Sequence, residues 1–424
     1  MAISGDEPDA FHNLLDDLVC HILSFLPTKM AYRTCVLSKR WALICTKILD
    51  FHFILPKISN PTSSRQIHSV YAVLFRRENH IRKLRLESNH GCQPSDVYQW
   101  ILKASDLKIK ELHLDLNLVQ PTFLPLKLST LESLVVLKLT GNIQPKFSYC
   151  SEVYFPSLKI LHLRFLGLNL LPFLSGCPRL EEFLLHDVLV NPSIKISFPL
   201  LKRLQLVLDI SPDASGDKTL QIIVPSSLKV LDIVDFTPIK YESLDFFNGD
   251  LAALIINKYP DFDSLYELLK GISKVKSLYL SDETILFLSM EDNLDQLSRL
   301  PTFSNLLNLE VDISENCNWN MLLSFLQKAP KLKNLVIENC FERTKDAGWE
   351  VPSEIPTCLT TSLIRFEFIG IQDMKTELDF TRYIINESSK LEKVKIFPQG
   401  NKERMKRSLL KGSKKSPALL LDIS

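Results

Sequence analysis

A six-residue pattern, apolar-x-x-apolar-x-apolar, returns along this chain from residue 81 to residue 396. It begins as Ile81-Leu84-Leu86, Ile109-Leu112-Leu114, Leu134-Leu137-Leu139 and Leu158-Leu161-Leu163. Among its later members are Leu180-Phe183-Leu185, Leu201-Leu204-Leu206, Leu228-Leu231-Ile233 and Leu251-Leu254-Ile256, and it ends at Leu391-Val394-Ile396. There are 13 such units, with starts 21 to 31 residues apart. One match means little in a chain with 75 leucines among 424 residues; the spacing and flanks carry the weight. A charged residue follows the first apolar position in nine of the 13, as at Lys159, Glu181, Lys202, Lys229 and Lys333. Proline precedes that position at Pro156, Pro178, Pro199, Pro225 and Pro330.

The last two apolar positions are two apart, so they share one face of a short strand. Proline cannot continue a helix, and it marks the entry to the strand. Between strands lie segments apolar at helical spacing, such as Val97 to Ala104, Leu265 to Gly271 and Met321 to Lys328. A strand and a return every 20–29 residues is the leucine-rich-repeat grammar. A single unit cannot bury its apolar face, whereas stacked units share a core. The expected fold is therefore α/β: a leucine-rich-repeat solenoid of short parallel strands with helical or irregular returns. The long spacings Val275–Leu306 and Leu332–Leu363 are expected to be loop insertions.

Composition narrows the function. Only 12 glycines are present, and neither G-x-G-x-x-G nor G-x-x-x-x-G-K-[ST] occurs, which argues against a Rossmann or P-loop enzyme. A net charge of +1 argues against a general nucleic-acid coat. No apolar run approaches the ~18 residues of a membrane span, and residues 1–9 lack the basic-then-apolar order of a signal peptide. The expectation is an intracellular protein, nuclear or cytoplasmic. Nine scattered cysteines form no C-x-x-C pair, so buried reduced thiols are expected rather than disulfides or zinc. No H-x-x-x-H, H-E-x-x-H or G-x-S-x-G occurs, and His162 and His186 read as surface strand residues rather than ligands. No cofactor, metal or catalytic residue is expected.

Residues 13–52 break the repeat pattern. Asp16-Asp17 read as a helix start. Leu18, Ile22, Leu23 and Leu26 follow on one helical face, Pro27 ends that helix, Thr28 caps a second and Ser38 a third. Three short helices make a marginal core, so this head needs a partner or the first repeat to dock against. Leu14-Leu-Asp-Asp-Leu-Val-Cys-His-Ile-Leu-Ser-Phe-Leu-Pro-Thr-Lys29 and Arg33-Thr-Cys-Val-Leu-Ser-Lys-Arg-Trp41 resemble the plant F-box. Near the other end, Trp349-Glu-Val-Pro-Ser-Glu-Ile-Pro356, Cys358-Leu359, Ser362-Leu363 and Phe366-Glu-Phe368 resemble the FBD module. The order of head, repeats and tail is similar to that of plant F-box/FBD/LRR-repeat proteins. It suggests a tail at 1–12, an F-box at 13–52, a lead-in at 53–78, repeats at 79–345 and an FBD-like module at 346–424.

The resemblance implies the substrate-recognition subunit of an SCF-type cullin–RING ubiquitin ligase, not an enzyme in its own right. The head would bind a Skp-family adaptor, and through it the cullin and RING subunits; the repeats would hold an unknown protein target. By the same resemblance Leu14, Leu18, Ile22, Leu26, Pro27, Val36, Leu37 and Trp41 form or support the adaptor surface, while Leu23 and Phe25 hold the helices together. The chain departs from the family text at Leu15, where proline is usual, and at Met30, Ala42 and Cys45. The alternative is a leucine-rich-repeat scaffold that does not engage the ubiquitin machinery. Neither membrane nor nucleic acid is expected as a partner.

In a repeat stack every second strand residue points outward. The expected outward column includes Arg85, His113, Lys138, His162, Leu184, Gln205, Asp232, Ile255, Tyr279 and Glu310, drifting from basic through apolar to acidic. A target is expected across this concave face. Leu184, Val207, Val230, Val234 and Ile255 form either an exposed apolar anchor or a patch covered by a loop. The tail from Gln399 is basic and reads as a solvated helix face, followed by a closing strand at Ala418 to Ile423.

Overall fold

The computed structural model describes residues 14–55, 63–89, 91–145, 153–164, 175–186, 193–208, 219–223, 225–235, 240–242, 247, 249–256, 262–290, 297–314, 318–339, 349, 351–372, 374–400, 402–410 and 420–423. Cys150, Cys317, Cys340, Lys411, Lys414, Lys415 and residues 1–13 lie outside them. The chain divides into two compact units, Met1–Leu180 and Glu181–Ser424.

The first unit opens with α1 (Asp16–Ser24), α2 (Thr28–Arg33), a 3-10 turn at Thr34–Val36 and α3 (Lys39–Lys47). Then follow β1 (Asp50–Leu55), α4 (Ser63–Phe75), β2 (Lys83–Asn89), α5 (Pro94–Asp106) and β3 (Glu111–Asn117). Next are β4 (Thr122–Leu124), β5 (Val136–Gly141), β6 (Ile143–Pro145) and β7 (Ile160–Arg164). Strands β1, β2, β3, β5 and β7 pair in that order, all parallel. The short pair β4 and β6 is also parallel. Ile48-Phe51-Phe53 repeats the apolar pattern one unit earlier than expected: Phe51 pairs with Leu84 and Phe53 with Leu86. All three are buried. The last helix of the head therefore runs directly into a strand of the sheet.

The second unit contains β8 (Glu182–His186), β9 (Ser193–Ile196), β10 (Arg203–Leu208), β11 (Thr219–Ile222), β12 (Val230–Asp235), β13 (Lys240–Glu242) and β14 (Leu251–Ile256). It continues with α6 (Phe262–Gly271), β15 (Ser277–Leu280), α7 (Asp282–Leu288), β16 (Asn308–Ile313), α8 (Trp319–Lys328) and β17 (Asn334–Asn339). It ends with α9 (Thr357–Thr361), β18 (Arg365–Ile371), α10 (Lys375–Glu387), β19 (Lys393–Pro398), α11 (Lys402–Leu410) and β20 (Leu420–Ile423). Parallel pairing runs from β8 through β10, β12, β14, β15, β16, β17, β18 and β19 to β20. The early returns of this unit are extended, β9, β11 and β13 forming their own parallel sheet. The later ones are helical. The long Val275–Leu306 spacing is not merely a loop: it holds α7, whose Ile285, Phe287 and Leu288 are buried. The Leu332–Leu363 insertion falls largely at 340–348, outside the described residues.

The apolar positions of the repeat point inward, with Leu84, Leu112, Leu137, Leu161, Phe183, Leu204, Leu231, Leu278, Leu309, Leu335, Phe366 and Val394 all buried. Each removes a side chain worth about 1.5–3 kcal/mol from water, shared between neighbouring turns. One unit is read two residues out of register in the sequence. Leu231 pairs with Ala252, not with Leu254, and Leu251 is 37% exposed. The first apolar slot falls on Gly249, where buried Phe247 occupies the space: its ring lies 2.1 Å from where a Cβ would sit. The charged slot that follows is Asp250, which binds Lys276 at 2.7 Å. Lys202 pairs with Glu181 at 2.5 Å in the same way, so at these two places the charged residues after the first apolar position tie successive turns together. Gly141 (φ 101°) and Gly370 (φ 77°) end β5 and bend β18, each pressed against a carbonyl of the preceding strand where a side chain does not fit.

Candidate functional site

The head is held from within by few residues. Val19, Leu23, Ala31, Ile44 and Cys45 are buried. Asp16 joins α1 to α3 by accepting from Arg40 Nε at 3.1 Å and Lys47 Nζ at 3.0 Å. These two cations, Lys47 foremost, hold its carboxyl below the usual range. Ser38 caps α3 as expected, accepting the Trp41 N–H at 3.3 Å. Thr28 does not cap α2: it is the first helical residue, buried, and its hydroxyl accepts the His52 N–H at 2.7 Å, tying α2 to β1.

With the interior so small, the remaining apolar residues face solvent. α1 carries apolar side chains on two faces rather than one: Val19 and Leu23 turn inward, whereas Leu15, Leu18, Ile22, Phe25 and Leu26 lie outward. Phe25 is 73% exposed, so it does not hold the helices together as the sequence suggested. Val36 and Leu37, on the turn before α3, are 87% and 65% exposed, and Met30 and Leu43 are exposed too. Leu14, Pro27 and Trp41 are half-buried. Nine of the twenty large exposed apolar residues among the described ones thus fall within 29 residues of chain. The exposed apolar side chains among the described residues are thus concentrated in the head.

The open faces of the two units differ. In the first unit one row crosses all five strands: His52, Arg85, His113, Lys138 and His162. Burial first, then the charges of Lys83, Lys138, Arg85 and His162, push His113 down to about 3, so its imidazole is neutral at pH 7. In the second unit the corresponding row reads Leu184, Gln205, Asp232, Ala253, Tyr279, Glu310, Val336, Glu367, Lys395 and Asp422. Ile255 is not in this row, because the register shift at Gly249 puts Ala253 there; Ile255 pairs with Val234. Leu184, 7% exposed, and Val207 are buried, so the apolar anchor expected mid-chain does not form an open patch. Tyr279 donates to Asp312 Oδ2 at 2.5 Å, and Gln205 donates to Asp232 Oδ2 at 2.8 Å. Burial raises Glu310 and Asp312, with neighbouring carboxylates adding to the shift.

Cys45, Cys92, Cys177 and Cys358 are buried, and burial pushes Cys92 up to about 11 and Cys177 and Cys358 up to about 12. Such thiols stay protonated at neutral pH and are poor nucleophiles. Among the described residues no cluster of His, Cys, Asp or Glu is placed to hold a metal ion, and no helix is long and apolar enough to cross a membrane.

The motif residues of the tail are packing residues. Trp349 meets Phe380 and Tyr383 edge-on at 5.7 and 5.3 Å, and Phe380 lies 4.7 Å from Trp319. Cys358 Sγ donates to Leu326 O at 3.3 Å, and Ser362 Oγ to Pro330 O at 3.1 Å. Phe366 and Phe368 fill the core. Glu377 is wholly buried, taking the Gln372 N–H at 2.7 Å and Asn339 Nδ2 at 3.3 Å.

Stacked parallel strands, inward leucines and helical returns define a mixed α/β repeat protein. The family described as FBD matches residues 350–396, the segment that carries α9, β18, α10 and β19. The chain is 27% identical over 445 residues to a putative F-box/LRR-repeat protein of Arabidopsis thaliana, covering 92% of this chain and 88% of that protein. It is 26% identical over 420 residues to an F-box/FBD/LRR-repeat protein of the same plant, covering 95% and 96%. A putative FBD-associated F-box protein, also from Arabidopsis thaliana, is 28% identical over 418 residues, covering 92% of each chain. The resemblance to plant F-box/FBD/LRR-repeat proteins thus extends over most of the chain and includes an FBD domain.

Proposed function

We propose that this chain is the target-recognition subunit of an SCF-type cullin–RING ubiquitin ligase, working inside the cell, in the nucleus or the cytoplasm. The head acts as an F-box that docks on a Skp-family adaptor, and through it on the cullin and RING subunits. The repeats hold a protein target. The chain itself makes and breaks no bonds; it brings a target to a ubiquitin-charged enzyme. The observation that carries this reading is the apolar surface of the head. Leu18, Ile22, Phe25, Leu26, Val36 and Leu37 are exposed on helices whose own core is already filled. Burying a side chain of that size is worth about 1.5–3 kcal/mol, so a few suffice for tight docking.

The test is capture of a purified Skp-family adaptor by the intact protein, compared with Val36→Asp combined with Leu37→Asp. Both positions are highly exposed, so the fold should be unchanged by circular dichroism while capture falls by at least about tenfold. Failure of the intact protein to bind any adaptor would refute the reading and favour a repeat scaffold.

A further inference from the structure

The basic row of the first unit brings Arg85 and Lys138 together with three histidines at facing strand positions. Part of it is neutralised locally. Glu87 Oε1 lies 2.9 Å from His52 Nε2 and 2.6 Å from Arg85 Nε. Glu111 Oε2 lies 3.6 Å from Lys83 Nζ and 4.0 Å from His113 Nε2. The far end is not neutralised. Lys138 and Arg164 make no ion pair among the described residues.

These two cations line a groove of about 320 Å³, together with Arg85, His113, Asp115 and His162. Asp115 is the one carboxylate on its wall. Thr140, also lining it, pairs with Arg164 across β5 and β7, one position beyond the Lys138–His162 pair counted along a single face. Lys138 and Arg164 are therefore diagonal neighbours on adjacent strands, and long side chains so placed can meet on one anion. His113 adds a buried Nε2 with no hydrogen-bond partner among the described residues. The groove thus offers two unpaired cations, a hydroxyl and an imidazole, with Arg85 two strands away.

We infer that this groove binds a phosphorylated, acidic segment of a target protein, with the phosphate held by Lys138 and Arg164. A guanidinium presents two parallel donors to a phosphate, and the ammonium supplies a second charge. A single carboxylate would leave one of the two cations uncompensated, whereas a phosphate dianion matches both. Arg85 stands two strand spacings, about 10 Å, from Lys138, which equals about three residues of extended peptide. The preferred segment therefore carries Asp or Glu three positions from the phosphorylated residue. This inference deepens the proposed function and rests on its assignment of target capture to the repeats.

The test uses the full chain and a nine-residue peptide library with central phosphoserine, beside the same library with serine. Binding is read by fluorescence anisotropy, and adaptor capture is measured on the same preparations. Phosphoserine peptides should be selected at least about tenfold over serine, with an acid three positions away. Lys138→Glu with Arg164→Glu should abolish that selection, and the milder Lys138→Ala should weaken it, both with adaptor capture unchanged. Equal binding of the two libraries, selection that survives both variants, or tighter binding of tripolyphosphate or of single-stranded RNA would overturn the inference. Phosphopeptide selection without adaptor capture would uphold the groove and refute the ligase reading instead.

Discussion

The two units bury the same kinds of residue and display opposite chemistry. In the first, the open row is His52, Arg85, His113, Lys138 and His162; in the second, Asp232, Glu310, Glu367 and Asp422 face outward with Lys395 as the lone cation of the row. Inward, Leu112 and Leu309 or Leu161 and Leu335 are interchangeable. A position that must fill space next to identical neighbours accepts only a few apolar shapes. A position that faces outward is free to vary with what it meets. The open row is therefore where the two units part company, and the buried ladder is what makes them comparable.

That comparison breaks most severely from the inside. Leu112→Ala in the first unit and Leu309→Ala in the second each empty a fully packed slot, and each should cost about 2–5 kcal/mol in denaturant-induced unfolding. Similar costs at both sites would support a common ladder; tolerance at one would show that its turn repacks on its own. A smaller but distinct loss is expected at Glu377. Glu377→Ala removes the buried carboxylate that accepts from the Gln372 N–H and the Asn339 amide and should cost about 1–3 kcal/mol. The described part of the first unit has no buried carboxylate to match it, so this cost belongs to the FBD region.

The opposed charges also give opposed responses to pH. His113 is depressed in the folded state from 6.5 to about 3. Its contribution is present above pH 6.5 and is lost as the pH falls toward 3, because the unfolded chain takes up the proton first. Glu310 and Asp312 are raised, and burial together with Glu283 pushes Asp282 up to about 7. The contribution of Asp282 is present at acid pH and is lost as the pH rises from about 4 toward 7, and those of Glu310 and Asp312 are lost in the same direction as the pH rises past the ordinary carboxylate range, because the folded chain holds the proton longer. His113→Gln should therefore gain relative to the parent as the pH is lowered from 7.5 to 5. Glu310→Gln should gain as it is raised over the same range. Unfolding midpoints at both pH values decide this; equal shifts at the two pH values would remove the electrostatic difference between the units.

Which parts of this were legible in the sequence follows from the same division. The 13 triplets identify 13 strands because packing imposes their spacing. The strand at Ile48-Phe51-Phe53 escapes because it is read as part of the head, which has its own pattern. The Leu251 unit misleads because its first slot holds Gly249 and borrows Phe247, so a run of apolar residues offers a false register two residues later. The false register alone places Ile255 in the open row. In the head, Phe25 and Leu23 are both apolar, and only the crossing of three helices turns one inward and the other out. Arg85, His113, Lys138 and His162 were legible as a basic series, but His52 joins them only through β1, and the unneutralised pair Lys138 and Arg164 needs side-chain geometry.

The smallest expected effect is the most informative about why the rows differ. Lys138 stands between His113 and His162, and Glu310 shares its surroundings with Asp312, Glu338 and Glu367. If these charges served the fold, reversing them would weaken it. Here neither makes an ion pair among the described residues, and the neighbours of Glu310 are acidic, so Lys138→Glu and Glu310→Lys should each leave stability unchanged or raise it by up to about 0.5 kcal/mol. The gain should shrink as salt is raised from 0.01 M to 1 M, since the Debye length falls from about 30 Å to about 3 Å. A fold that is no worse without its row charges keeps them for something outside itself. A clear loss of stability in Lys138→Glu would instead make the basic row part of the architecture, and the contrast between the two units would then reflect packing rather than partners.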